Sequence, residues 1–381
     1  MRVEIHSSLV ELGREAWDSL SAGATPFVEW EWLSALEESG CVRPETGWLP
    51  QHLTCWDGGE LIAACPLYVK GHSQGEFVFD HGWAEAAQRA GIRYFPKLLV
   101  ASPFTPATGV RLLTRADADR PALLRCLARA LADLCRQNQF SSAHVNFCLE
   151  DEIEALSESG FRRRTGYQFQ WQNRGWRDFE DYLSAFRSKR RVQIKRERRE
   201  LESQGIEVEA VTGDRLEDEH FPLMFRLYKS TIDKLYWGRQ YLNLELFELL
   251  RERWRHRLVF FLARRAGRVV AGTFTVRKDD VLYGRYWGCF EELRYLHFNL
   301  CYYASIEYCL EQGLNRFEPG AGGEFKYLRG FDPQPTESMH LITNRRLAQA
   351  IDNYLEQERP AVVEEIEWMQ ENSALKLPES G

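Results

Sequence analysis

The sequence predicts two mixed α/β units of similar layout in tandem, and three observations predict it. Apolar runs with the period of strands alternate along the whole chain with stretches whose apolar residues recur at helical spacing. The second half repeats the outline of the first. A length of 381 residues suits two or three domains, and 44% apolar with 28% charged residues is the composition of a chain that builds a core rather than staying disordered.

Residues 2–6 alternate as a strand, and 9–20 are amphipathic as a helix. Thr25 and Pro26 supply an N-cap and a first-position proline, and Phe27, Trp30, Leu33 and Leu36 follow at three-residue spacing until Gly40 stops the helix. Two apolar runs around Asp57-Gly58-Gly59 read as a hairpin. Residues 76–79 read as a strand, 122–137 as a helix, 141–149 as a strand, 152–160 as a helix and 167–171 as a strand. The second half gives a helix over 178–204, a strand over 206–211, helices over 216–235 and 244–255, and a hairpin of 258–264 with 269–277. A strand over 281–287, a helix over 298–312, a strand over 316–318, a glycine-rich turn and a helical region from 345 complete it. The boundary is placed after Asn173, giving domains 1–173 and 174–381, and with no low-complexity linker there the two should be tightly joined.

Forty-nine basic against fifty-six acidic residues give a net charge of −7, so the surface is not generally electropositive and any contact with nucleic acid must be local. Nine cysteines without a C-x-x-C spacing read as reduced thiols, and no structural zinc site or other metal centre is expected. The N-terminus has no signal-peptide core, and no stretch is apolar for the length a spanning helix needs. A cytoplasmic protein is the expectation.

The densest charge feature is 187–199, where eight of thirteen residues are basic and Glu197 alone is acidic. One reading is a helix that meets an anionic partner such as the phosphates of tRNA or coenzyme A, with Lys189, Arg190 and Arg191 as contacts. The other is a solvated helix neutralised by Glu180, Asp181, Glu200 and Glu202.

The second feature runs from Val281 to His340. A strand carrying Arg285 and Tyr286 leads through a polar loop to His297 at a helix start, where free N–H groups suit an anion or oxyanion. Arg316-Phe317-Glu318 then enters Pro319-Gly320-Ala321-Gly322-Gly323, where glycine permits close approach of backbone to ligand. Glu318 or Glu324 could serve as general base for an amine, while Arg285, Lys326, Arg329 and the turn at Gly320, Gly322 and Gly323 hold an anionic substrate. The alternative is a tight turn in which Glu318 pairs with Arg316 or Lys326. His297 is either a base or a helix-start hydrogen bonder, and Tyr286 joins the catalytic candidates. P-loop, dinucleotide-fold and zincin signatures are absent from the sequence.

F-x-E-W-E-W-L-x-A-L-E-E-S-G from Phe27, T-G-W-L-P-x-H-L from Thr46, S-K-R-R from Ser188, L-Y-G-R-Y-W-G from Leu282, C-Y-Y-x-x-I-E-Y-C from Cys301 and F-E-P-G-A-x-G-E-x-K-x-x-R-G-F from Phe317 resemble the FemAB-like peptidoglycan biosynthesis/recognition family of bacteria. The resemblance covers nearly the whole chain. It implies tandem GNAT-like acyltransferase domains similar to the FemABX aminoacyltransferases, with the active site in the C-terminal one. Glu318, Glu324, Lys326 and Arg329 match the block; Asn299, Gly322 and Phe325 stand where the pattern has Glu, Gln and His. Arg285 to Gly288 also match the first half of the GNAT loop that holds the pyrophosphate of coenzyme A, with Phe290 in place of its small residue.

The expected function is N-acyl transfer: an acyl or aminoacyl group moves from acyl-CoA or aminoacyl-tRNA, used as co-substrate with no resident cofactor, to an amine acceptor, a small molecule or an envelope precursor. The alternative is a catalytically inert double-GNAT protein that recognises an anionic envelope precursor or nucleic acid.

Overall fold

The computed structural model describes residues 1–234 and 239–376, apart from the side chain of Glu324. Leu235, the last residue of one expected helix, lies outside the described residues. The chain divides into two compact units, 1–166 with 335–363 and 167–334 with 364–381. The boundary expected after residue 173 thus falls at Gly166, inside a strand whose sequence carries no break, and 335–363 belong to the first unit rather than the second.

Unit 1 contains β1 (Arg2–His6), β2 (Trp48–Pro50), β3 (His52–Asp57), β4 (Glu60–Cys65), β5 (Leu67–Lys70), β6 (Lys97–Val100), β7 (Leu113–Thr114) and β8 (Ser142–Cys148). The chain leaves along β9 (Arg162–Gln172). Unit 2 contains β10 (Ile206–Thr212), β11 (Leu258–Arg265), β12 (Arg268–Lys278), β13 (Val281–Cys289) and β14 (Arg316–Glu318), and the chain returns along β15 (Asp332–Ile342).

In unit 1, β1-β3-β4-β7 form an antiparallel sheet, and a second sheet runs β15-β8-β6-β5-β2 with β6 and β8 parallel. The helix Arg120–Gln137 starts on Asp119, whose side chain accepts from the Ala122 N–H at 3.1 Å. Its buried residues Leu124, Leu127, Leu131 and Cys135 recur at helical spacing, so one stripe faces the core. The other sheet face is polar: Lys70 and Lys97, opposite each other, are fully buried beside Glu76, Asp80, His144 and His340. Lys97 donates to Glu76 (2.8 Å), Asp80 (2.5 Å) and Ser73 (3.1 Å). This ion pairing holds 76–79 in a loop where the sequence suggested a strand.

In unit 2 the order is β10-β11-β12-β13-β14-β9, antiparallel except for β13 with β14. The long helix expected over 178–204 is two, Phe179–Ser184 and Ser188–Ser203, because Phe186 turns into the core as an extended bridge to Leu375. The helix expected over 298–312 starts at Leu296 and contains a π turn, Asn299–Tyr303. No helix among the described residues is long and apolar enough to cross a membrane, and none of their His, Cys, Asp and Glu gather as a metal site.

Candidate active site

The site forms where two parallel strands part. β13 and β14 pair from Val281 with Arg316 to Tyr283 with Glu318, and there β14 ends. β13 continues through a bulge: its pairing with β12 steps from Thr275 with Gly284 to Phe274 with Tyr286, leaving Arg285 as the extra residue. Gly284 is needed at the parting, since a Cβ there would come within 3.2 Å of the Pro319 backbone. Gly288 is needed further on, since its Cβ would lie 1.7 Å from the Leu227 carbonyl oxygen of the helix His220–Ile232 packed on the strand.

A cleft of about 280 Å³ opens beyond the parting. Arg285, Tyr286, His297, Gly320, Gly322, Gly323 and Lys326, all singled out from the sequence, line it together. Thr273, Thr275, Cys301 and Tyr302 line it too and were not among them. The π turn that carries Cys301 and Tyr302 has no signature in the sequence.

Lys326 is 3% exposed on a 3₁₀ helix, Glu324–Arg329, and donates to the carbonyls of Gly320 (2.7 Å) and Ala321 (3.5 Å), so it closes the glycine turn on itself. Burial brings its ammonium down to about 8. His297 packs edge-on against Trp287 at 4.6 Å and Tyr302 at 5.3 Å; burial first, then the charges of Lys326 and Arg329, lower it to about 4, so it is neutral at pH 7. Burial also lowers Arg285 and pushes the Cys301 thiol well above its ordinary range.

Two candidates, Glu318 and Arg329, lie elsewhere. Glu318 is buried, does not line the cleft, and has an oxygen 3.4 Å from Arg316 Nε, the pairing of the simpler reading. The Glu324 side chain lies outside the described residues. Arg329 is 3% exposed and turned away: it meets the Glu197 carboxylate at 3.3 Å, donates to the Tyr303 hydroxyl at 3.0 Å and lies 3.5 Å over the Phe298 ring. Glu197 also accepts from Tyr303 (2.5 Å) and Gln193 (2.9 Å), and Gln193 in turn accepts from Arg190 (3.0 Å). The single acid in the basic run is therefore the bolt that fixes the basic helix to the 3₁₀ helix of Lys326.

On the outside of that helix Lys195 pairs with Glu180 (2.6 Å), Arg198 with Glu307 (2.9 Å) and Arg294 reaches Glu200 (3.7 Å). Lys189, Arg190 and Arg191 have no carboxylate within ion-pair distance among the described residues. Part of the run is neutralised, and its first turn is not.

A family model for FemAB-like proteins, peptidoglycan biosynthesis/recognition, matches residues 8–377. The chain belongs to the FemAB-like family. No curated relative matches its sequence. Among solved structures this FemAB-like chain is similar to FemX, at 13% identity over 92% of this chain and 100% of that one with a TM-score of 0.55. It is also similar to L-PGS from Bacillus licheniformis, at 10% identity over 85% and 94% with a TM-score of 0.51. These likenesses establish the fold, the mixed α/β arrangement that the resemblance implied.

Two of the departures from the FemAB-like block have a place in the structure. Asn299 is buried and donates to the backbone carbonyls of Glu197 (3.1 Å) and Tyr295 (2.9 Å), inside the helix rather than toward the cleft, and Phe325 is exposed. The half-match to a coenzyme A loop is strand: Arg285 to Cys289 belong to β13, so no pyrophosphate-cradling turn forms there.

Proposed function

We propose that the protein is an N-acyltransferase that moves an acyl or aminoacyl group from an acyl-CoA or aminoacyl-tRNA onto an amine of a cell-envelope precursor. The observation that carries this reading is the cleft at the parted strands, in which a lysine of lowered pKa and a neutral histidine stand together and no described lining residue is a carboxylate. In the transfer, the amine nitrogen attacks the acyl carbonyl, the new C–N bond forms, and the C–S or C–O bond to the leaving group breaks. The proton released by the amine must reach the departing sulfur or oxygen. A lysine at about 8 loses and regains a proton near neutral pH, which suits it as that carrier in place of the carboxylates first considered. His297, uncharged, accepts a hydrogen bond and orients the amine. The cation Arg285 favours an anionic substrate.

The cleft is at the lower limit of ligand pockets, so it would hold the reacting end and leave the bulk of a coenzyme or tRNA outside. The uncompensated Lys189, Arg190 and Arg191 suit phosphates there. The test is incubation of purified protein with a chain-length series of acyl-CoA esters and with aminoacyl-tRNA, each with soluble peptidoglycan precursors, followed by mass spectrometry of the acceptor. One added acyl or aminoacyl mass, absent without protein, supports the reading and names the donor. One observation favours recognition without catalysis, namely that no described carboxylate reaches the cleft; saturable precursor binding with no product from any donor would establish that alternative.

A further inference from the structure

We infer that the Thr273 hydroxyl contacts the substrate, donating to the carbonyl oxygen of the group being transferred; this rests on the acyl-transfer reading above. β12 sets Ala271, Thr273 and Thr275 in register with Ala263, Phe261 and Val259 of β11, a row that is apolar but for the two threonines. The Thr275 hydroxyl has a partner, the Val259 carbonyl at 2.6 Å. Thr273 is 3% exposed and its Oγ1 meets no hydrogen-bond partner.

A buried hydroxyl with nothing to bond destabilises the fold, and valine would fill the same shape without that cost. Thr273 is one of the residues that line the cleft. Its neighbours there are its cross-strand partner Trp287, Cys301 and Tyr302, and none of their polar atoms meets its hydroxyl. A ligand that fills the cleft therefore supplies the missing partner. Of the two reacting groups, the amine finds an acceptor at His297, whereas the acyl oxygen needs a donor. As the carbonyl becomes an oxyanion the hydroxyl keeps its proton and its hydrogen bond strengthens, so the contact is worth most at the transition state.

The experiment compares wild type, Thr273→Val and Thr273→Ser in the transfer assay, with a thermal melt of each. Thr273→Val should lower kcat about 100-fold with KM changed less than about threefold, while its melting temperature stays at or above that of wild type; Thr273→Ser should keep activity within about fivefold. Activity of Thr273→Val within about twofold of wild type overturns the inference and leaves the acyl-transfer reading standing. Joint loss of activity and melting temperature that serine does not restore overturns it too, making Thr273 a packing residue. A wild type that transfers nothing removes the reading and the inference with it.

Discussion

Each unit has one parallel pair in an otherwise antiparallel sheet, β6 with β8 in unit 1 and β13 with β14 in unit 2, and the two pairs end differently. Beyond β6 and β8 unit 1 fills the gap from its own chain. Arg111, 1% exposed, donates to the carbonyls of Asn146 (2.8 Å), Gly109 (3.1 Å) and Ala107, and Glu152 accepts from the N–H groups of Arg111 (2.7 Å) and Leu149 (2.7 Å). Beyond β13 and β14 unit 2 leaves the gap open and lines it with Lys326, His297 and Thr273. Parting strands leave backbone groups and side chains without partners. One unit satisfies them with a buried arginine and glutamate; the other leaves them around an open cleft. The same topological device yields a core in one case and a cleft in the other.

The largest effect that tests this contrast is on stability. Arg111→Met should cost about 3–5 kcal/mol in denaturant unfolding, since it strands the buried carbonyls and removes the positive charge that favours the Glu152 carboxylate, yet leave kcat/KM per folded molecule unchanged. A folded variant with impaired turnover would place chemistry in unit 1 and break the comparison. Next, Lys326→Met should lower kcat/KM about 100-fold, equivalent to about 2.7 kcal/mol, and wild-type activity should rise with pH through about 8 as Lys326 becomes neutral. A profile that falls above pH 8 would make Lys326 a cation that binds and not a proton carrier.

A third, smaller effect concerns pH and stability. His144 is lowered by burial to about 3, and burial lowers His340 well below its ordinary value, so the unfolded chain takes up these protons first and stability is lost as pH falls below about 6.5. Glu76, raised by burial to about 7, acts the other way: its contribution is full below about 4.3 and lost as pH rises through 7. Two histidines outweigh one glutamate, so the melting temperature should fall from pH 6.5 to 5; a rise over that range would put Glu76 in control. The smallest effect is at the basic helix. Replacing Lys189, Arg190 and Arg191 by alanine should leave the melting temperature nearly unchanged and reduce the salt dependence of binding to a polyanionic donor by about one unit of log–log slope per lost phosphate contact. An unchanged slope would make that turn an ordinary solvated face.

The contrast also explains what the sequence disclosed. The β3–β4 hairpin at Gly58-Gly59 and the helix Arg120–Gln137 were legible because a two-residue turn and a 3.6-residue stripe are local patterns. β15 was not, because Pro333 and Pro335 speak against a strand and its partner β8 lies almost two hundred residues away. At the site, the glycine turn, Lys326, His297 and Arg285 were legible as a dense block. Arg329 was assigned to substrate because a free-looking arginine in a motif gives no hint of a partner at Glu197, 132 residues earlier. Thr273 was invisible for the opposite reason: one hydroxyl in an apolar strand reads as part of the strand.

The π turn at Asn299–Tyr303 sets a limit on how this chain can change in length. One extra residue in a helix turns everything after it by about 100° relative to what precedes it. Deleting a residue there would restore a regular helix, leave His297 where it is, and swing Glu307 away from Arg198 and Ile306 out of the core. The helix serves both the cleft and the core only because it is out of step with itself, so this segment should reject single-residue deletions that an ordinary surface loop would absorb.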